Sequence, residues 1–253
     1  MSQKARIVFF ILLILFLGVS FCSAEGSLPF APGEQLRYSV NWEGFSVGEV
    51  VFDSMPKTTL GSMAAYHFSM RAETSLILDA VLGIADRIDS YVDTGMTHAL
   101  LYKERTSTTR GHDASITFDW QKNEAQYSLN GKKFKPTSLV SGAFDALSVL
   151  YALRLLDLTG KKEISRPVSN GLQCVILRAK VLGKQKVRVA SGEYTAFVLE
   201  PQLAEFPALF DTLSAATVKL WISADERRLP VKIECNFSLG RLTAELNGVK
   251  PGK

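Results

Sequence analysis

The sequence predicts a mainly β fold: a curved antiparallel sheet, or open β-barrel, wrapped around one central α-helix and preceded by a cleaved N-terminal signal helix. Three observations lead there. Short stretches of alternating apolar and polar residues recur along the chain, divided by turn residues at hairpin spacing. One longer stretch, Phe144 to Leu158, repeats its leucines at helical intervals instead. The first 24 residues have the composition of an export signal.

The chain opens with Lys4 and Arg6, continues as an apolar run from Ile7 to Val19, and then turns to small residues up to Ala24. That order describes a secretory signal cut after Ala24, with Cys22 small enough for the position three before the cut. Lipid attachment at Cys22 is disfavoured, because Phe21 stands where such signals carry a small residue. The expected domains are residues 1–24, a signal peptide, and residues 25–253, one β-rich periplasmic domain without a membrane span. Removing Lys4 and Arg6 from the 29 basic residues leaves 27 against 25 acidic ones, a net charge of +2. Such a balance gives no electrostatic reason to expect nucleic acid as a partner.

Alternation marks a first strand at Leu36, Tyr38 and Val40, and the pair Glu43-Gly44 reads as a turn. A second strand runs through Val47 to Asp53 and is expected to stop at Pro56, since proline has no ladder donor. Tyr66 to Ala72, Asp86 to Asp93, Leu100 to Thr109 and Ile116 to Trp120 follow with period two. After Tyr127 and Leu129, Asn130-Gly131 signals a tight hairpin, because both positions accept positive φ. Beyond the helix come Leu172–Val181, Lys186–Ala190, Tyr194–Glu200, Thr217–Ser223, Leu229–Ser238 and Arg241–Leu246, with Gly183 expected to separate the first two.

In the helical stretch Leu147, Leu150, Leu153, Leu156 and Leu158, with Val149 and Tyr151, form a broad apolar face. Asp145 is expected to cap its N-terminus, Gly160 to close its far end, and Ser148 to bond to a strand. Asp145 and Arg154 stand on opposite sides of the helix, so they cannot converge as one catalytic set. If Arg154 points into the sheet it needs a carboxylate, and Asp86 or Asp89 are candidates.

Several blocks in sequence order, LRYSVNWEGFSVGEV, DRIDSYVD, FDALSVLYALR, VRVASGEYTAFVLEP and LWISADERRLPVKI, together resemble an exported bacterial family of unknown function, domain-of-unknown-function family 3108. The resemblance covers most of residues 34–246 and implies export and a β-rich fold. The family has no agreed activity, so it implies no catalytic residues. A looser likeness, resting on the LWISADERRLPVKI hairpin alone, is to periplasmic lipoprotein carriers with a half-open barrel.

Candidate chemistry is sparse. His67, His98 and His112 are spread over three segments without ligand spacing, and neither a metal nor a cofactor is expected. No nucleophile elbow, phosphate-cradling loop or dinucleotide fingerprint occurs. Cys174 and Cys235 are the cysteines beyond the signal; export permits a bridge, whereas the apolar neighbours of Cys235 and the mixed ones of Cys174 leave the pairing open. Two dense apolar stretches interrupt the strand pattern: 76–84, with Leu76, Leu78 and Val81, and 203–213, with Phe206 and Phe210. They either plug the ends of a barrel or rim an apolar site. The expected function is thus a non-catalytic periplasmic binder of an apolar or lipid-like envelope ligand. The alternatives are an envelope assembly factor acting through protein contacts and a hydrolase with an unrecognised acidic site.

Overall fold

The computed structural model describes residues 28–74, 87–106, 111–202, 217–237 and 240–253. Among them, alternation builds β1 (Gln35–Trp42), β2 (Phe45–Leu60), β3 (Met63–Thr74), β4 (Arg87–Asp93), β5 (Ala99–Arg105), β6 (Asp113–Asp119) and β7 (Glu124–Leu129). Two short pieces, β8 (Lys132–Lys133) and β9 (Thr137–Ser138), precede the helix α1 (Ser148–Arg154). Six more strands follow: β10 (Glu163–Ser169), β11 (Cys174–Val189), β12 (Gly192–Pro201), β13 (Thr217–Ser223), β14 (Pro230–Phe237) and β15 (Gly240–Lys250).

All belong to one antiparallel sheet, ordered β10-β11-β12-β13-β14-β15-β1-β2-β3-β4-β5-β6-β7-β8, with β9 also on β7. The first strand is therefore not at an edge. β1 pairs with β2 on one side and with the last strand on the other, from Gln35↔Lys250 to Trp42↔Leu242. Two meanders meet along that seam, and α1 is the link between their far ends.

The sheet curls over the helix, and its two ends are stitched by irregular chain. Phe144 forms a parallel bridge to Val168 of β10, while Ala143 O accepts a bond from Ala99 N at the start of β5. The β10–β11 turn lands on the inner face of β6 and β7, where a Cβ on Gly171 would stand 3.0 Å from both Ile116 and Tyr127.

The helix packs against both halves. Leu147, Val149, Tyr151 and Ala152 join Tyr66, Phe68 and Val92, and the Tyr151 ring stacks on Phe68 at 3.7 Å. Leu150, Leu153 and Leu156 meet Phe197, Leu199, Leu220 and Ile222 of β12 and β13. Each such side chain, fully buried, contributes about 1.5–3 kcal/mol. Phe30 closes the cluster edge-on to Tyr66, Phe68 and Tyr151.

Three boundaries depart from expectation. The helix is shorter than Phe144–Leu158, because Phe144 is drawn into pairing with β10 and the backbone after Arg154 tightens into bonds spanning three residues, such as Leu156 N to Leu153 O. Gly160 consequently lies beyond the helix, in a turn at φ +68°. β2 runs through Pro56, absorbing it in a register shift between Met55 and Thr58. β11 continues past Gly183, whose φ of +108° sits in a bulge between Val181 and Gly183.

Candidate functional site

The polar residues predicted on the helix are taken up by structure. Asp145 is fully buried; its carboxylate accepts bonds from Leu147 N and Ser148 N at 2.9 Å each and from Ser90 Oγ of β4 at 2.6 Å. Ser148 Oγ accepts in return from Asp145 N at 3.0 Å, a reciprocal cap. Thus Asp145, not Ser148, reaches the neighbouring strand. Burial pushes the Asp145 carboxyl above the usual carboxylate range, against the three donors.

Arg154 is 2% exposed and meets Glu34 through Nη1 at 2.5 Å and Nη2 at 2.9 Å. Its Nη2 also donates to the carbonyls of Pro29 and Arg227. Glu34 replaces the expected partners: Asp89 is held instead by Arg87 and His67, and Asp86 lies outside the described residues. Glu34 lies 120 residues upstream, so no local spacing could have pointed to it.

These contacts leave little room inside. A cavity of about 10 Å³ remains between α1 and the sheet, lined by Leu36, Tyr38, Phe52, Tyr151 and Arg154. That is about the space of one water, so an acyl chain has no berth along this part of the axis.

The end of the sheet is different. The register runs Leu199, Leu220, Ile233, Ala244, Val40, Gly48, Thr74 across seven strands. Pro201, Thr217 and Thr74 therefore finish their strands at the same end as the Glu43-Gly44 turn, where Phe45 is 76% exposed. Arg87 and Arg105 open and close β4 and β5 there too. Leu76, Leu78, Val81, Phe206 and Phe210, expected from the sequence to rim an apolar site, lie outside the described residues.

On the outer face below this end, a groove of about 570 Å³ is lined by Arg87, Asp89, Tyr91, Lys103, Arg105 and Ser115, among others. His67 Nε2 lies 2.7 Å from Asp89 Oδ1 and its ring stacks on Tyr91 at 4.5 Å. Burial raises the Asp89 carboxyl, but the bonds from Arg87 and His67 outweigh it and hold the group below the usual range. Ser69, opposite Asp89 in the register, is 2% exposed, and its hydroxyl has no partner among the described residues. His98 and His112 face Asp93 and Glu104, each with its own carboxylate. Among the described residues no three metal-ligating side chains gather.

Cys174 and Cys235 do not bridge; both thiols are free. They stand on β11 and β14, three strand spacings or about 14 Å along the sheet, whereas a disulfide needs Cα atoms within about 7 Å. Cys174 Sγ accepts a bond from Val140 N, and burial pushes the Cys235 thiol up to about 11.

The sequence profile described as "Protein of unknown function (DUF3108)" matches residues 37–247. No curated protein matches the chain in sequence. Among solved structures, a β-barrel-like protein of domain of unknown function DUF1849 from Brucella abortus superposes with a TM-score of 0.51 at 7% identity, covering 88% of this chain and 98% of that one. A protein with a YmcC-like fold from Bacteroides fragilis gives a TM-score of 0.30 at 9% identity, with the same coverage. The first likeness supports the barrel-like fold and nothing finer.

Proposed function

Because the chain belongs to the DUF3108 family, which supplies a fold without an activity, we propose from its geometry that it is an exported, non-catalytic envelope protein binding an apolar, lipid-like group. The observation that carries this reading is the shared end of the sheet. The strands flanking the two apolar stretches finish beside a turn that displays Phe45 to solvent. Export, the periplasm and the signal peptide belong to the same proposal. The seat is at the mouth, since the helix fills the interior below it. The test is solvent extraction of protein purified from its native host, followed by lipid mass spectrometry, on the natural chain and on Phe45→Asp. A stoichiometric lipid from the natural chain and several-fold less from the variant is expected. An empty natural chain sinks the reading.

A second reading, an assembly factor working through protein contacts, draws on the β10–β11 ribbon, which exposes Leu172, Ile176 and Leu182 by 44–48%. It predicts crosslinks from this ribbon to an envelope protein and no bound lipid.

A further inference from the structure

Three arginines lie directly opposite one another on the outer face at the mouth: Arg71 of β3 pairs with Arg87 of β4, and Arg87 with Arg105 of β5. Like charges set opposite each other in a sheet are unfavourable. Elsewhere this sheet repeatedly does the reverse, with Glu163–Lys180–Glu200, Lys219–Glu234, Lys232–Glu245 and Arg188–Glu193 directly paired. The ladder therefore runs against the pattern of its own surroundings.

The arginines are held rather than loose. Arg71 donates to Asp53 at 2.8 Å, Arg87 to Asp89 through two bonds at 2.6 and 2.9 Å, and Arg105 to Asp113 at 2.9 Å. Each guanidinium has five N–H donors, so among the described residues most of them stay uncommitted. The side chains are 47%, 47% and 72% exposed. Neighbouring strands are about 4.8 Å apart, so the row spans about 10 Å and one oxyanion can bridge two guanidiniums. Lys103 flanks the row in the groove, with no ion pair among the described residues.

We infer that the Arg71–Arg87–Arg105 ladder binds the phosphate of an anionic lipid headgroup. This rests on the lipid reading above for the choice of a lipid; the phosphate chemistry rests on the ladder alone. Asp53, Asp89 and Asp113 each hold one arginine, Asp113 directly opposite Arg105 on β6. The N–H groups they leave free meet the phosphate oxygens at the mouth, where an apolar tail would enter.

The test is flotation of the purified protein with vesicles of phosphatidylcholine alone or with phosphatidylglycerol, plus titration with pyrophosphate. The natural chain, the triple variant Arg71→Gln, Arg87→Gln, Arg105→Gln, and a control Lys186→Gln on exposed β11 are compared, with folding checked by thermal melting. Preference for the anionic vesicles, lost about hundredfold in the triple variant and kept in the control, is expected. Single Arg87→Gln, expected to lose about fivefold, serves if the triple variant does not fold. Equal binding by the natural chain and a folded variant, or no preference for anionic vesicles, overturns the inference. Arginine-dependent binding of pyrophosphate alone identifies a soluble phosphate and overturns the headgroup assignment. Extraction of an uncharged lipid with no vesicle preference would refute the ladder and leave the lipid reading standing. Arginine-dependent vesicle binding by a protein that carries no extractable lipid would do the opposite.

Discussion

Removing one partner of the Arg154–Glu34 pair leaves an enclosed charge without its counter-ion. Glu34→Gln is expected to lower stability by about 3–5 kcal/mol, read from the denaturant midpoint. Replacing both residues with apolar ones of similar size should recover much of that loss. At Asp145 the proton is held more tightly in the folded chain than in the unfolded one. Its contribution is therefore complete below the unfolded value and fades as pH rises through the raised folded one. Asp145→Asn, which keeps an oxygen for Leu147 N and Ser148 N, should flatten the decline in midpoint as pH rises above the ordinary carboxylate range. Cys235, with its thiol pushed up to about 11, should alkylate at pH 8 roughly a hundredfold more slowly than an unhindered thiol of ordinary acidity. Time-resolved mass spectrometry of labelling checks this. The capping role of Asp145 could be read from the sequence because capping is local. The partner of Arg154 could not, because Glu34 reaches it only after the whole sheet has curled.

At the scale of elements, turns separate two kinds of glycine. Gly131 sits at φ +79° with open space within 4 Å of where a Cβ would stand, so Gly131→Ala costs about 1–2 kcal/mol of backbone strain alone. Gly171, at φ +81°, adds a collision with Ile116 and Tyr127, and Gly171→Ala should cost about 1–3 kcal/mol more. Thermal melts of the two variants should rank in that order. The strands were legible wherever one face was buried, as in β4, where Ser90 and Val92 turn inward while Asp89 and Tyr91 turn out. Pro56 and Gly183 misled for a shared reason: each looks like a terminator, yet a bulge lets the partner strand continue past it. The long apolar period around α1 announced a helix; its two ends were set by the pairing of Phe144 to β10 and by the tighter backbone bonds after Arg154, which leave no trace in the spacing.

For the molecule as a whole, the sheet and the helix α1 followed from alternation and from one helical period, and the sequence resemblance agrees with the matched family. Occupancy of the interior did not, because a curved sheet looks the same on paper whether side chains or a ligand fill it. The outer arginine row was hidden for a similar reason: Arg71, Arg87 and Arg105 are scattered in sequence and meet only through the register. Deleting β15, from Gly240 onward, would leave β1 and β14 without the strand between them. That truncation is expected to yield a chain without cooperative unfolding, measured by circular dichroism and protease sensitivity, whereas loss of the small β8 hairpin, paired only at Ser128↔Lys133 and Leu129↔Lys132, should be tolerated.

The seam between β1 and β15 also sets a timetable. A chain delivered amino end first presents β1 at once, yet the strand that seals its flank is the last to arrive. Until then each half is an unfinished ribbon with a bare margin, inviting a neighbour to pair with it. Because β1 and β15 are far apart in sequence, closing the seam is expected to be a slow step of folding.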